Sequence, residues 1–188
     1  MLRTGLRMMA IFYPLVISMY NQVAIMLKST TCCFTGHRNI PSIGKEIIQT
    51  RLESTLVTLI HQGIHHFCAG GALGFDTIAA LSVLRLKADY PHICLILVLP
   101  CQEQTNGWSE EDKTRYDHIL SQADEVIYVW NHYYRGCMHA RNRYMVDRSG
   151  TCISYLTAET GGTAYTVRYA KQKNVHMINL ASNESKDL

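Results

Sequence analysis

Seven consecutive residues, Gly70-Gly71-Ala72-Leu73-Gly74-Phe75-Asp76, set three glycines and a carboxylate between an apolar run (64–69) and a helical pattern (77–84). Glycine at such a junction lets the backbone turn tightly and approach a ligand closely. The first N–H groups of the helix then face the end of the strand, where they favour a phosphate or another anion. Asp76 falls in the first helical turn. It either caps the helix or accepts a hydrogen bond from a ribose or base. The segment is not G-x-G-x-x-G, so the common dinucleotide fingerprint is absent.

Three other segments carry comparable chemistry. Thr35-Gly36-His37-Arg38 follows an apolar run. Its glycine permits close approach, Arg38 offers a fixed fork of donors to a phosphate or carboxylate, and His37 is a hydrogen-bonding or acid/base group. Asn131–Asp147 holds Tyr133, Tyr134 and Arg135, then Arg141-Asn142-Arg143. Helical spacing there turns Arg141 or Asn142 toward a ligand and buries Met138 and Met145, leaving Arg143 and Arg148 on a solvated face. The two tyrosines suit either base stacking or packing. Thr160-Gly161-Gly162-Thr163 again opens a helix with glycines and hydroxyls, a second phosphate-type cradle. Gly44-Lys45 has neither the spacing nor the following residue of a P-loop.

The elements that must position these loops follow from hydrophobic periodicity. Apolar runs at 31–35, 64–69, 93–99, 125–130, 152–156 and 175–180 read as strands. Helical patterns lie between them, at about 44–61, 77–88, 110–122, 138–148 and 161–172. The first helix offers Ile43, Ile47, Ile48, Leu52, Leu56, Leu59 and Ile60 to the core. Strands apolar throughout are expected where both sheet faces are covered. The fold class is therefore α/β: a Rossmann-like, doubly wound, mostly parallel sheet with helices on both faces. Such sheets bind ligands at the carboxyl ends of their strands, where the chain reverses its winding, so all four loops are expected on one edge.

Composition bounds the function. The chain has 188 residues, 47% hydrophobic and 18% charged, enough for one domain with a core. A net charge of +3, with no run of four adjacent basic residues, argues against dedicated duplex binding. The seven cysteines form no C-x-x-C pair, which suits free thiols and a cytoplasmic location. The nine histidines show no familiar ligand spacing, so no metal site is expected. Residues 1–29 read as an apolar extension, with Met26 as a functional start or, second, an N-terminal membrane anchor. Residues 30–181 read as the domain and 182–188 as a polar tail.

Taken together, the segments Cys33–Arg38, Gly70–Asp76, Met138–Asp147 and Gly161–Thr163 closely resemble the YpsA/YspA-like branch of the SLOG superfamily. The resemblance spans roughly residues 30–180. That superfamily includes the DNA-processing protein DprA and the Lonely Guy phosphoribohydrolases. The resemblance implies a Rossmann-like fold and a site for a nucleotide-derived ligand formed by Thr35, Gly36, His37, Arg38, Gly70, Gly71, Gly74, Asp76, Arg141, Asn142, Gly161, Gly162 and Thr163. Lonely Guy enzymes carry P-G-G-x-G-T-x-x-E. Here Thr160–Arg168 lacks the proline, the third glycine and the glutamate, so that branch's catalytic carboxylate does not transfer; Asp76 and Glu159 are the acidic candidates left near the site for stabilising a sugar cation or orienting a water.

The leading expectation is a protein that binds or senses a small phosphorylated ligand, with no resident cofactor identified. The alternatives are a nucleotide-processing hydrolase working through Asp76 and a DprA-like binder of single-stranded nucleic acid. Self-association into a homo-oligomer is compatible with this sequence.

Overall fold

The computed structural model describes residues 27–41 and 44–181. Six strands alternate with five helices: β1 (Thr31–Gly36), α1 (Lys45–His61), β2 (His66–Ala69), α2 (Phe75–Leu86), β3 (Cys94–Leu99), α3 (Glu110–Gln122), β4 (Glu125–Tyr128), α4 (Cys137–Asp147), β5 (Thr151–Tyr155), α5 (Gly161–Gln172) and β6 (His176–Asn179). A 3-10 turn (Gln102–Thr105) follows β3, in the stretch read as polar loop. The extension over residues 1–26, Ile43 and the tail over 182–188 lie outside the described residues. No helix among the described residues is long and apolar enough to cross a membrane.

All the strands pair in parallel, in the order β4-β3-β2-β1-β5-β6. The chain thus winds outward from β1 to β4, returns to the far side of β1, and adds β5 and β6. Right-handed crossovers put helices on opposite faces when the winding direction reverses. Accordingly α1, α2 and α3 share one core with Cys32 and Phe34, while α4 and α5 share the other with Cys33. Neighbouring residues of β1 serve opposite cores because side chains alternate across a strand. The Phe34 and Phe67 rings stack at 6.2 Å between β1 and β2 in the first core.

Two expectations need correction. Ile47 is 59% exposed, while Ile48 is buried with Leu52, Leu56, Leu59 and Ile60. Successive helical residues are about 100° apart, so only one of two adjacent isoleucines can point inward. The strands are also not all covered: β4 is an edge strand on which Glu125, Val126 and Tyr128 are exposed. It ends at Tyr128, short of the apolar run's limit. The seven cysteines are free thiols; six are buried, and Cys94 is partly so.

Candidate functional site

The reversal between β1 and β5 leaves a cleft at their carboxyl ends. It has a volume of ~270 Å3 and is lined from β1 by Thr35, Gly36, His37 and Arg38. Ala72 and Asp76 come from the β2–α2 junction, Met138, Arg141 and Asn142 from α4, and Gly162 and Thr163 from the start of α5. Segments read as separate loops in the sequence therefore meet in one place. Gly70, Gly71, Gly74 and Gly161 shape the backbone around the cleft rather than forming its wall.

Glycine is required at three of these positions for different reasons. At Gly36 a β-carbon would run into the ring of Phe75. Gly74 has φ +79°, and a β-carbon there would overlap the carbonyl oxygen of Arg38. At Gly70 the same atom would overlap the Arg141 guanidinium. The start of α2 is thus pressed against the β1 loop, and the Phe75 N–H donates to the His37 carbonyl at 3.1 Å. Tyr155, at the end of β5, stacks on Phe75 at 6.0 Å and meets His37 edge-on at 6.1 Å.

Arg141 and Asp76 form the floor. Their side chains are 5% and 8% exposed, and Arg141 Nη1 stands 3.5 Å from Asp76 Oδ2. Burial pushes the Asp76 carboxyl above its ordinary range; Arg141, the N–H groups of Ala72 and Gly70, and Arg38 pull it back only in part. Burial likewise lowers the Arg141 guanidinium, opposed by Asp76 and reinforced by Arg38. Both shifts disfavour charge, as expected for a long-range, incompletely hydrogen-bonded buried pair. Arg141 Nε and Nη1 find no hydrogen-bond acceptor among the described residues. Asp76 does not cap α2, because the N-cap position is Gly74 and receives no side-chain bond. Instead its Oδ2 accepts from Ala72 N–H at 3.4 Å, holding the glycine loop against the helix.

The remaining polar groups divide into fixed and available ones. His37 Nε2 accepts the Thr157 N–H at 3.0 Å, which ties the β1 loop to the β5 loop and commits that nitrogen. Asn142 donates to Thr166 at 2.8 Å, and Thr166 donates to the Gly162 carbonyl at 2.9 Å, so Asn142 braces α5. Arg38 is exposed and has no ion pair among the described residues. Thr160, the N-cap of α5, accepts no N–H of the helix through its side chain. The first N–H groups of α5 are thus left for an acceptor at the cleft beside Gly162 and Thr163. Met145 is buried as expected, whereas Met138 forms part of the cleft wall.

Sequence reasoning missed Gln104. Its buried amide donates to the carbonyls of Gly70 and Gly71, pinning the glycine loop from behind. A glutamine in a polar loop gives no signal of that role. Tyr133 and Tyr134 are exposed, as is Trp130, and the Tyr134 and Trp130 rings meet edge to face at 5.3 Å. Arg143 and Arg148 are exposed as expected, and Arg143 also donates to Tyr165 at 2.9 Å. Arg148 lies 3.6 Å over the Tyr144 ring. Among the described residues no group of three or more His, Cys, Asp or Glu is placed to hold a metal ion.

The arrangement can neutralise an anion from three directions: the Arg38 and Arg141 guanidiniums, the glycine loop, and the α5 N-terminus. Comparisons with known proteins agree with the fold. The chain is 33% identical over 141 residues to a UPF0398 protein of Halalkalibacterium halodurans, covering 73% of this chain and 72% of that one. It is 28% identical over 152 residues to a UPF0398 protein of Bacillus cereus, covering 77% and 83%. DNA processing protein A of Helicobacter pylori superposes with a TM-score of 0.59 at 20% identity, covering 82% of this chain and 66% of that one. The Streptococcus pneumoniae protein gives 0.58 at 16%, covering 80% and 50%. The chain thus spans about two thirds and one half of these two solved structures, and the likeness shows the shared fold. The sequence model of the YspA SLOG family matches residues 33–186, most of the chain, and the protein belongs to that family.

Proposed function

We propose that this protein binds a nucleotide or nucleotide-derived anion in the cleft between β1 and β5. The observation that carries the reading is Arg141, a buried guanidinium that lines the cleft: its Nε and Nη1 have no hydrogen-bond acceptor among the described residues, and Nη1 is held only by the 3.5 Å ion pair with Asp76. A buried donor without an acceptor costs about 1–3 kcal/mol, more when charged, and an anion in the cleft relieves that cost. Arg38 and the α5 N-terminus complete the charge match. Thermal unfolding of the full chain with ribose 5-phosphate, ADP-ribose and the nucleoside monophosphates tests it. A concentration-dependent rise in Tm, reduced in Arg38→Ala without loss of the fold, is expected. Wild type that binds none of these compounds would sink the proposal.

A hydrolytic reading is favoured by one specific observation: the only carboxylate lining the described cleft, Asp76, is pushed toward its protonated form. Chromatography of the bound ligand separates the two readings. Intact ligand supports binding or sensing, whereas turnover abolished in Asp76→Asn with binding retained supports a hydrolase. The Helicobacter pylori neighbour is described for its single-stranded DNA binding mode. A strand bound here in the same way would show steep salt dependence, and a single bound nucleotide would not.

A further inference from the structure

An anion in the cleft has to share Arg141 with Asp76. Arg141 Nη1 already faces Asp76 Oδ2 at 3.5 Å, and its Nε and Nη1 have no hydrogen-bond acceptor among the described residues. An anion oxygen that accepts from Nη1 at about 2.9 Å stands no more than about 6.4 Å from Asp76 Oδ2. Like charges at that separation disfavour each other's ionised forms. Both side chains are buried, so little water screens the repulsion.

Which group yields follows from what holds each one. Arg141 keeps its proton at neutral pH, as a guanidinium does. The anion has two further partners, Arg38 and the first N–H groups of α5 beside Gly162 and Thr163. Asp76 is held loosely, by Arg141 at 3.5 Å and the Ala72 N–H at 3.4 Å. It is also the only carboxylate lining the described cleft. Arg38 faces it from the β1 loop, and the buried thiols of Cys33 on β1 and Cys152 on β5 feel its charge. Cys68 on β2 pairs in register with Cys33, one strand further away. Tyr116 of α3 faces Arg141, and Glu53 of α1 is engaged by Arg85 in the last turn of α2. His37 lines the cleft too, with Nε2 committed to the Thr157 N–H.

We infer that Asp76 takes up one proton when an anion enters the cleft and then donates a hydrogen bond to it. This rests on the anion-binding reading above and gives Asp76 a ligand-contacting role within it. The carboxylate gains its proton from solvent, Arg141 keeps its charge, and no bond of the ligand forms or breaks. A neutral carboxylic acid donates a hydrogen bond that a carboxylate cannot. The burial that pushes the Asp76 carboxyl up works in the same direction.

Calorimetric titration of the full chain with ribose 5-phosphate and the nucleoside monophosphates, at pH 8 in HEPES and in Tris, tests the coupling. The two buffers differ in ionisation enthalpy, and the phosphate, with a second pKa of about 6, is already a dianion there. The apparent enthalpy should differ between the buffers in the sense of proton uptake. Affinity should fall from pH 7.5 to pH 8.5 by up to about tenfold, the slope of one proton. Asp76→Asn, a neutral isostere, should bind without uptake, lose the pH slope and be tighter than wild type at pH 8.5. An infrared difference spectrum of wild type should gain a protonated-carboxyl band on addition of ligand, a readout that stands even where the variant does not fold. Binding with equal enthalpy in both buffers and no new band overturns the inference and leaves the anion reading standing. Uptake that survives in folded Asp76→Asn assigns the proton to another group, such as His37, and overturns it as well. If none of these compounds binds, both readings fall.

Discussion

The guanidinium of Arg141 occupies the space that a side chain at Gly70 would need. One residue starts the glycine loop and the other belongs to a helix two strands away along the chain. Each fixes the shape available to the other. Gly70→Ala must therefore displace Arg141, at a cost of about 1–3 kcal/mol for an overpacked interior. Affinity for ribose 5-phosphate should fall at least tenfold with it. Unchanged affinity in a folded Gly70→Ala protein would show that Arg141 does not hold the anion.

Arg141→Met should destabilise the fold by about 3–5 kcal/mol, because it strands the Asp76 carboxylate in a buried place. The loss should be greater at pH 8 than at pH 5. Burial already raises Asp76 above its unfolded value, and without Arg141 it rises further. A carboxyl raised in the folded state favours folding fully below its unfolded pKa, and that contribution disappears as pH rises through the folded value. Urea denaturation at the two pH values measures this, and a loss independent of pH would contradict it. Adding Asp76→Asn to Arg141→Met should recover part of the stability.

Two glycines of the site should respond in opposite ways to alanine. At Gly74 the φ of +79° and the Arg38 carbonyl leave no room, so Gly74→Ala should cost about 2–4 kcal/mol. At Gly162, inside α5, nothing lies within 4 Å of the new β-carbon. Gly162→Ala should gain about 0.5–1 kcal/mol from helix propensity. Yet Gly162 lines the cleft, so affinity for ribose 5-phosphate should drop. A variant that is both more stable and equally tight would remove the α5 N-terminus from the binding site.

The Glu103 carboxyl is held below its ordinary range by His132 and its own backbone N–H, against a small effect of burial. A carboxyl lowered in the folded state contributes stability above its unfolded pKa and loses it as pH falls through the folded value. The loop carrying Trp130 should therefore loosen in acid, below the normal glutamate range. Trp130 emission followed through an acid titration reads that event, with a Trp108→Phe background to isolate it. Glu103→Ala should lack it; an identical transition in that variant would assign the change to another group.

The architecture was legible from periodicity because buried parallel strands and amphipathic helices write different patterns. What the pattern cannot decide is rotation and partner. Ile47 and Ile48 look alike in sequence, and only the helix's seat on the sheet exposes the first. Asp76 looked like a cap because caps are local, whereas its ion-pair partner stands 65 residues later. His37 looked free to act on a ligand, but the backbone of Thr157 takes one of its nitrogens. The glycines of the site were legible because steric intolerance leaves its mark on a single position. Gln104 was not, since its bonds to Gly70 and Gly71 arise only when two distant turns meet.

The bond from Thr157 to His37 closes a contact across 120 residues. Synthesis therefore delivers the two walls of the cleft at widely separated times. While β5 and α5 are unmade, Arg38 and the glycine loop face an open edge, and the strand beside β1 has no occupant. A nascent chain in that condition has no enclosed cleft, so under the proposed function ligand capture would report that the polypeptide has been made and folded through α5.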